Sequence, residues 1–152
     1  MKQLFLLLTS LLIFIGCSRD TAFDRFPITQ KQKLAENSIQ SSKIKNKNNI
    51  DGVVNVLYLN EVNHKIYNDK EYFYIYFYIK NKSIKPLFLL NNKYPLHITK
   101  LDNENQFSNL ISFNAPWSQY YLIEFAKQGD NLNFQLKNGK YTSDILKFEK
   151  DK

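Results

Sequence analysis

The chain has 152 residues, of which 43% are hydrophobic, and a formal net charge of +7 at pH 7. This length allows one small domain together with targeting and tether segments. The chain contains one cysteine and four glycines, which excludes a disulfide framework and argues against glycine-rich loops that bind phosphate groups.

The first residues are typical of a signal peptide. Lys2 supplies a short basic start, and residues 4–15 form the apolar run LFLLLTSLLIFI, which ends at Gly16 and Cys17. Because a helix needs about 20 apolar residues to span a bilayer, this run predicts an export signal at residues 1–16 and not a permanent transmembrane anchor.

The residues Phe14-Ile15-Gly16-Cys17 resemble the lipobox of bacterial lipoproteins, with Phe14 standing where Leu is usual. The resemblance implies cleavage before Cys17 and attachment of lipid to its thiol, so that the bilayer is the first expected partner. It also implies a place in the bacterial cell envelope. Ser18 follows the cysteine instead of the Asp that retains some lipoproteins in the inner membrane, so the outer membrane is favoured.

Residues 17–50 are predicted to form a lipidated N-terminus and a polar, basic tether. After Cys17, this segment contains seven Lys and Arg residues against three acidic residues, and its apolar residues are sparse. Low hydrophobicity with surplus charge is typical of flexible segments, and basic residues close to a bilayer are attracted to anionic headgroups. The folded domain is therefore predicted to begin at residue 51.

Residues 51–152 predict an all-β domain. Short apolar runs alternate with turn residues, which indicates eight strands, near residues 53–60, 71–80, 86–90, 95–101, 108–113, 120–127, 131–137 and 141–149. This pattern favours an antiparallel β-sandwich of immunoglobulin-like architecture, with a small closed barrel as the alternative. The absence of helical crossovers argues against a parallel nucleotide-binding fold.

Pairs of turn residues predict how some of these strands are joined. Asn138-Gly139 tolerates the positive φ angles of a tight hairpin turn, and Asn91-Asn92 is a candidate for a second one. The residues 128–130, Gln-Gly-Asp, form a similar join one strand earlier. The C-terminal third of the chain is therefore predicted to be a three-stranded meander.

The stretch EYFYIYFYIK at residues 71–80 alternates tyrosine with Phe or Ile. Successive side chains of a strand point to opposite faces, so one face is predicted to join the core: Phe73, Ile75, Phe77 and Ile79. The opposite face carries four tyrosines: Tyr72, Tyr74, Tyr76 and Tyr78. Two interpretations of this tyrosine face are open, an exposed platform for a partner or ligand, or a layer that covers neighbouring strands, the tether or a loop.

Trp117 is the single tryptophan and lies in a predicted connection after Pro116. It is interpreted either as a cover over the end of the core or as an exposed anchor for a partner. The candidate binding surface predicted from the sequence therefore consists of these residues: Tyr72, Tyr74, Tyr76, Tyr78 and Trp117.

Residues with catalytic or metal-binding chemistry are few and match no motif. His64 is followed by Asp69 and Glu71, but this spacing fits no known metal site. No nucleophile elbow or metal-binding helix motif is present, so the chain is predicted to be no enzyme and to use no metal or cofactor. Nucleic acid is not an expected partner either, because residues 51–152 carry 13 lysines against 11 acidic residues.

The sequence thus predicts a membrane-anchored cell-envelope lipoprotein. Its domain is expected to be a non-catalytic binding or assembly module that contacts an envelope protein partner through an exposed aromatic strand face or an open sheet edge. The alternative is a surface-displayed adhesin or carbohydrate-binding lipoprotein that uses the same aromatic residues. A small hydrolase with an unrecognised site is a third hypothesis.

Overall fold

The computed structural model describes residues 29–81, 85–111 and 114–150. The predicted signal peptide and Cys17 lie outside these residues. The elements follow in this order: α1 (Gln30–Ser38), β1 (Ile39–Asn46), β2 (Asn49–Tyr58), α2 (Leu59–Val62), β3 (Glu71–Ile79), β4 (Leu87–Leu90), β5 (His97–Leu101), a 3-10 helix (Ser108–Leu110), β6 (Gln119–Phe125), β7 (Asn131–Asn138), β8 (Tyr141–Ser143) and β9 (Leu146–Glu149).

Within the described residues, nine strands form one sheet with the order β4-β7-β8-β1-β2-β3-β6-β5, and β9 pairs with β7. Every pairing between these strands is antiparallel. The sheet curls into a half-barrel. The all-β prediction is confirmed. The two-sheet immunoglobulin-like sandwich is not confirmed, because the strands from β4 to β5 form one continuous hydrogen-bonded sheet.

The main core lies on one face of the curled sheet. The Phe and Ile face of β3 is buried there as predicted, with at most 3% of any side chain exposed: Phe73, Ile75, Phe77 and Ile79. Phe73 lies at the centre, and its ring centroid is 5.0–5.9 Å from four other aromatic rings: Tyr58, Phe125, Phe134 and Phe148. Such tilted and edge-on pairs add to the stabilisation that comes from burial alone.

The prediction of a tether at residues 17–50 is wrong from residue 30 onward, because α1, β1 and the start of β2 fall within it. α1 begins with a capping box, in which the Thr29 hydroxyl accepts from the Gln32 amide at 3.3 Å and the Gln32 side chain accepts from the Thr29 amide at 2.7 Å. These reciprocal bonds satisfy donors that a helix start otherwise leaves free. The folded domain therefore includes residues well before 51.

β1 was missed because its sequence, IQSSKIKN, has only two apolar residues. The strand pairs with β2 along its whole length and with β8 at its last three residues, so its backbone gains hydrogen bonds although few of its side chains are apolar. Ile44 is fully buried, and the nearly buried Ser42 hydroxyl accepts from the Asp144 amide at 2.9 Å. A polar sequence can form such a strand when its neighbours supply the pairing.

Three further predictions about the strands are wrong. The predicted strand at 108–113 contains a 3-10 helix at Ser108–Leu110, and the predicted strand at 141–149 is divided into β8 and β9. The C-terminal meander does not form, because β6 pairs with β3 and β5 while β7 pairs with β4, β8 and β9. The Gln128 amide donates to the Glu71 carboxylate at 2.8 Å, so the connection between β6 and β7 is fixed to β3.

The two predicted tight turns are confirmed. Asn138 pairs with Tyr141 across a two-residue loop in which Gly139 has a φ of +54°. Asn91 and Asn92 have φ angles of +49° and +62°, and the flanking residues exchange backbone hydrogen bonds at 3.0 and 2.9 Å. Asn and Gly tolerate these left-handed conformations better than other residues do.

Gly52 is required by close packing between β2 and β3. A Cβ atom at this position would lie 2.2 Å from the Tyr78 carbonyl oxygen, and a backbone atom cannot move aside as the end of a side chain can. We expect Gly52→Ala to lower the free energy of unfolding by about 1–3 kcal/mol, measured by urea denaturation.

Gly129→Ala is the matched control, because nothing lies within 4 Å of a Cβ atom there. The change in its free energy of unfolding should stay within about 0.5 kcal/mol of zero. Equal destabilisation by the two substitutions would contradict the close approach of β2 and β3 at Gly52.

Candidate functional site

The tyrosine face of β3 is covered over its middle by a second packed layer. Tyr74 is fully buried, and Tyr120 on the neighbouring strand β6 is 1% exposed. The layer comes from α1, α2 and the segment around the 3-10 helix, which contribute these buried residues: Ala35, Leu59, Val62, Phe107 and Ile111. For Tyr74 the structure decides between the two interpretations of this face. The Tyr74 side chain belongs to a second packed layer and is not part of an exposed surface.

Tyr74 is held by aromatic contacts on both sides. Its ring centroid lies 4.9 Å from that of Phe107 and 6.3 Å from that of Tyr120. Asn105 Nδ2 donates to the Tyr74 hydroxyl at 3.4 Å. Burial raises the pKa of Tyr74 to about 12, as expected for an acid whose charged form would lose its hydration.

The other residues of the predicted binding surface are exposed to different degrees. Tyr72 is half-buried and donates its hydroxyl proton to Asp69 at 2.7 Å, and Tyr76 is half-buried beside Tyr120. Tyr78 is 40% exposed and Trp117 is 55% exposed. Trp117 is thus more than half exposed, and its role as a cover or an anchor stays a prediction.

Tyr78 and Trp117, together with Val53, are named the aromatic patch. Val53 lies directly opposite Tyr78 in the pairing of β2 with β3 and is also 40% exposed. Trp117 precedes β6 in a tight turn, where the Ser118 amide donates to the Ala115 carbonyl. The register of β3 with β6 pairs Phe77 with Gln119, and Trp117 lies two residues before Gln119, in the connection that leads into β6.

A second exposed apolar cluster lies at the edge of the sheet. Tyr94, Leu96 and Ile98 are 68%, 61% and 42% exposed and are named the edge patch. Ile98 belongs to β5, which is the last strand in the sheet order and, among the described residues, pairs only with β6. A strand that is paired on one side presents free N–H and C=O groups on the other. Among the described residues, the edge patch thus lies at a strand whose second side has no strand partner, while the Leu96 amide itself donates to the Glu124 carbonyl.

A buried polar cluster lies at the start of β3. The Glu71 carboxylate is fully buried and accepts three hydrogen bonds, from Tyr58 at 2.5 Å, from Lys150 at 2.6 Å and from the Gln128 amide at 2.8 Å. Lys150 also donates to the Gln128 carbonyl at 2.8 Å. Every strong polar group of the cluster has a partner, as a buried network requires.

These contacts change the ionisation of the acids involved. Burial by itself raises the pKa of Glu71, but the bonds from Gln128, Lys150 and Tyr58 together outweigh it and hold the pKa below its ordinary value. Burial, the bond to Glu71 and the charge of Glu71 raise the pKa of Tyr58. The Tyr58 hydroxyl therefore stays protonated as a hydrogen-bond donor to Glu71 and does not act as a base or a nucleophile.

A cavity of about 310 Å³ opens beside this cluster. It combines two tyrosines, two asparagines, two lysines, one histidine and one glutamate: Tyr58, Asn60, Glu61, His64, Tyr67, Asn68, Lys127 and Lys150. Its volume lies at the lower end of the range for small-molecule sites, roughly 300–1,000 Å³.

The sequence neighbours His64, Asp69 and Glu71 do not form a ligand set. Glu71 is occupied by three donors, and Asp69 accepts from Tyr72. Within residues 29–81, 85–111 and 114–150, no group of three or more His, Cys, Asp or Glu residues could hold a metal ion. No helix in the same residues is long and apolar enough to cross a membrane.

The edge patch and the cavity were both missed by sequence reasoning. Residues 95–101 were predicted to form a strand, but alternation within a strand does not indicate whether the strand lies at the edge of its sheet. The cavity unites residues between Tyr58 and Asn68 with Lys127 and Lys150, which are too far apart in the chain to produce a local pattern. Pro95, just before β5, and Lys100 within it are the signals for an edge that the sequence contains.

Comparison of the chain with protein-family models, with curated proteins and with solved structures gives no match.

Proposed function

We propose that the protein is a membrane-anchored lipoprotein of the bacterial cell envelope, held by acylated Cys17, with the outer membrane as the favoured location. Its domain acts as a non-catalytic binding or assembly module for an envelope protein partner. The observation that carries this proposal is the open sheet edge at β5 with the exposed edge patch beside it.

An open edge of this kind fits a partner that supplies an extended segment. Such a segment adds to the sheet through main-chain hydrogen bonds, and pockets or patches for alternate side chains give specificity. Exposed Lys100 lies within β5, and a lysine on an edge strand opposes indiscriminate pairing with other strands. The edge is thereby suited to a partner whose side chains complement both the charge and the apolar residues.

The edge is a better candidate than the tyrosine face that the sequence singled out. The middle of that face is covered by the chain's own helices, with Tyr74 fully buried. Burying one exposed apolar side chain such as Leu96 contributes about 1.5–3 kcal/mol. Three such side chains at alternate positions, Tyr94, Leu96 and Ile98, supply exposed apolar anchors beside the open edge.

The membrane anchor is tested by metabolic labelling with a palmitate analogue. The wild-type chain is expected to carry the label and to fractionate with membranes, whereas Cys17→Ala should lose both properties. Label retained in Cys17→Ala would reject lipid attachment at this residue.

The use of the edge is tested by the double substitution Tyr94→Ser with Leu96→Lys. Both side chains are exposed, so the free energy of unfolding should change by no more than about 1 kcal/mol. We expect the amount of co-purified envelope protein to fall about tenfold or more, because apolar and aromatic anchors dominate binding energy. The measurement is quantitative mass spectrometry after mild cross-linking.

The matched control is Tyr78→Ser with Trp117→Ser, which changes the aromatic patch instead. It removes a similar exposed area and is expected to leave the co-purified proteins unchanged. If this variant lost the co-purified protein and the edge variant retained it, the contact would lie at the aromatic patch.

The aromatic patch itself supports the second candidate function, a surface-displayed adhesin or carbohydrate-binding lipoprotein. Trp117 is 55% exposed, and an exposed indole ring offers a flat apolar face of the kind on which sugar rings stack. Protease treatment of intact cells separates the two candidates, since a surface-displayed domain is cleaved and a domain that faces the periplasm is protected.

A further inference from the structure

We propose that the groove between α1 and the turn after α2, named the α1 groove, rests against the surface of an anionic bilayer. This inference rests on the acylation of Cys17 proposed above and adds to it the face that the domain turns towards the membrane. It uses none of the residues of the edge patch. It follows from two exposed apolar side chains, from the lysines beside them and from the short length of chain between the groove and Cys17.

Two exposed apolar side chains line the α1 groove. Leu34 of α1 is 42% exposed, and Ile66, in the turn after α2, is 65% exposed. The groove is mostly apolar, has a volume of about 620 Å³ and includes the nearly buried Val62 among its lining residues. The Ile66 amide donates to the Asn63 carbonyl at 3.1 Å, so a hydrogen-bonded turn fixes the backbone of Ile66. Single exposed apolar residues are ordinary on a protein surface, whereas these two share one concave surface.

Lysine side chains accompany the apolar residues. Lys31 and Lys65 line the α1 groove and are exposed, and Glu61 is the one carboxylate among the lining residues. The other charged residues of α1 are Lys33 and Glu36. Even with each glutamate neutralising one lysine, an excess of one positive charge remains. A lysine can lay its hydrocarbon stem along apolar surface while its ammonium group reaches the headgroups, and anionic headgroups attract such a group.

The α1 groove also lies close to Cys17 along the chain. α1 begins at Gln30, which lines the groove, and 11 residues, 18–28, separate the capping residue Thr29 from Cys17. At no more than about 3.6 Å per residue, the chain from Cys17 to Thr29 reaches at most about 43 Å. Acylation therefore keeps the start of α1 within this distance of the bilayer surface.

This short attachment makes the bilayer the partner that the α1 groove meets first. A site linked to its partner by a short segment meets that partner at a high effective concentration. A contact too weak to recruit the free domain is then sufficient to orient the anchored one. Apolar side chains flanked by basic residues are also the combination with which proteins lie on an anionic bilayer without spanning it.

The proposal is tested with the acylated full chain in vesicles of phosphatidylcholine and phosphatidylglycerol. Cys17 is the only cysteine and its thiol carries the lipid, so Ile66→Cys takes the environment-sensitive NBD label at one position. We expect the emission of this label to shift to the blue and to be quenched by lipids brominated near the headgroups. Both effects require the label to enter the interfacial region of the bilayer.

Ile50→Cys, labelled in the same way, is the matched control. Ile50 is 48% exposed and lies near the start of β2, about 30 Å from α2 along the strand. Its label should therefore stay unquenched. Equal quenching at positions 66 and 50 would overturn the proposal, because the bilayer contact would then not be confined to the α1 groove.

Two lysine variants of the chain labelled at position 66 test the role of charge. Lys31→Gln should lower the ratio of bilayer-bound to free groove about fivefold, read from the quenched fraction. Lys47→Gln makes the same change in net charge in the turn between β1 and β2 and should leave the ratio unchanged. Equal effects of the two variants would contradict a contact through the lysines of the α1 groove.

Vesicle flotation separates this inference from the acylation on which it rests. A chain that floats with the vesicles while the label at position 66 stays unshifted and unquenched would overturn the inference and leave acylation intact. A blue shift at position 66 without quenching by lipid would place protein in the α1 groove and would also overturn the inference. A chain that does not float and takes the label at Cys17 would overturn both.

Discussion

Replacing Lys150 with Met is expected to lower the free energy of unfolding by about 3–5 kcal/mol. Lys150 is the cationic partner of Glu71. The Glu71 carboxylate is fully buried and accepts a hydrogen bond from Lys150 Nζ at 2.6 Å. Without it, the carboxylate keeps the bonds from Tyr58 and Gln128 but loses the charge that offsets its burial. The measurement is urea denaturation at pH 7 monitored by far-UV circular dichroism.

Lys70→Met is the control, because it also removes a lysine from an ion pair. Lys70 contacts Glu124 at 2.7 Å, but the Lys70 side chain is 38% exposed, and ion pairs in contact with water contribute little. Its effect should be clearly smaller than that of Lys150→Met. Similar effects of the two substitutions would contradict the special role of the buried pair.

The effect of Lys150→Met should also depend on pH. The pKa of Glu71 is lowered in the folded protein, so the stability that its charge contributes is fully present above the ordinary glutamate pKa. That contribution is lost as the pH falls through the lower folded value. The difference in stability between wild type and Lys150→Met is therefore expected to shrink in acid.

Replacing Tyr74 with Ala is expected to lower the free energy of unfolding by about 3–5 kcal/mol, the range for removal of a buried aromatic side chain. Tyr74 is fully buried between Phe107 and Tyr120. Its removal leaves a cavity between the sheet and the helical layer, and both core contacts and the attachment of that layer are weakened. Thermal and urea unfolding measure the loss.

Tyr78→Ala is the matched control on the same strand and the same face. Tyr78 is 40% exposed, and its removal should change the free energy of unfolding by no more than about 0.5–1 kcal/mol. An equally small loss in the free energy of unfolding for Tyr74→Ala and Tyr78→Ala would contradict the second packed layer over the tyrosine face.

The features that were predictable from the sequence are those encoded by local patterns. Alternation in 71–80 identified β3 and the face that carries Phe73 and Ile75, because an extended chain places alternate residues on opposite sides. The turns at Asn91-Asn92 and Asn138-Gly139 were predictable because few residues adopt a positive φ. Each of these depends on residues close together in the chain.

The features that were missed depend on residues far apart in the chain. The alternation in β3 shows that tyrosines share a face, but not that Phe107 and Ala35 cover Tyr74. β1 is too polar to be recognised from its own sequence and forms because β2 and β8 lie on either side. The position of β5 at the edge follows from the order of all the strands, which no local pattern contains.

The candidate site illustrates the same division. The sequence indicates five residues as a candidate binding surface and leaves open whether each is exposed; of these five, only Tyr78 and Trp117 are exposed. Leu96 and Tyr94 were not singled out, since an isolated apolar residue beside a proline is unremarkable in a sequence. These two residues become candidates for a partner contact only when β5 is known to have a side without a strand partner.

Photo-crosslinking in intact cells tests whether the open edge at β5 is the contact for an envelope protein. p-Benzoylphenylalanine is placed at position 96 in the edge patch and, as the comparison, at position 117 in the aromatic patch. The proposal predicts a discrete adduct with one envelope protein from position 96 and none from position 117. No adduct from position 96, with one from position 117, would contradict it.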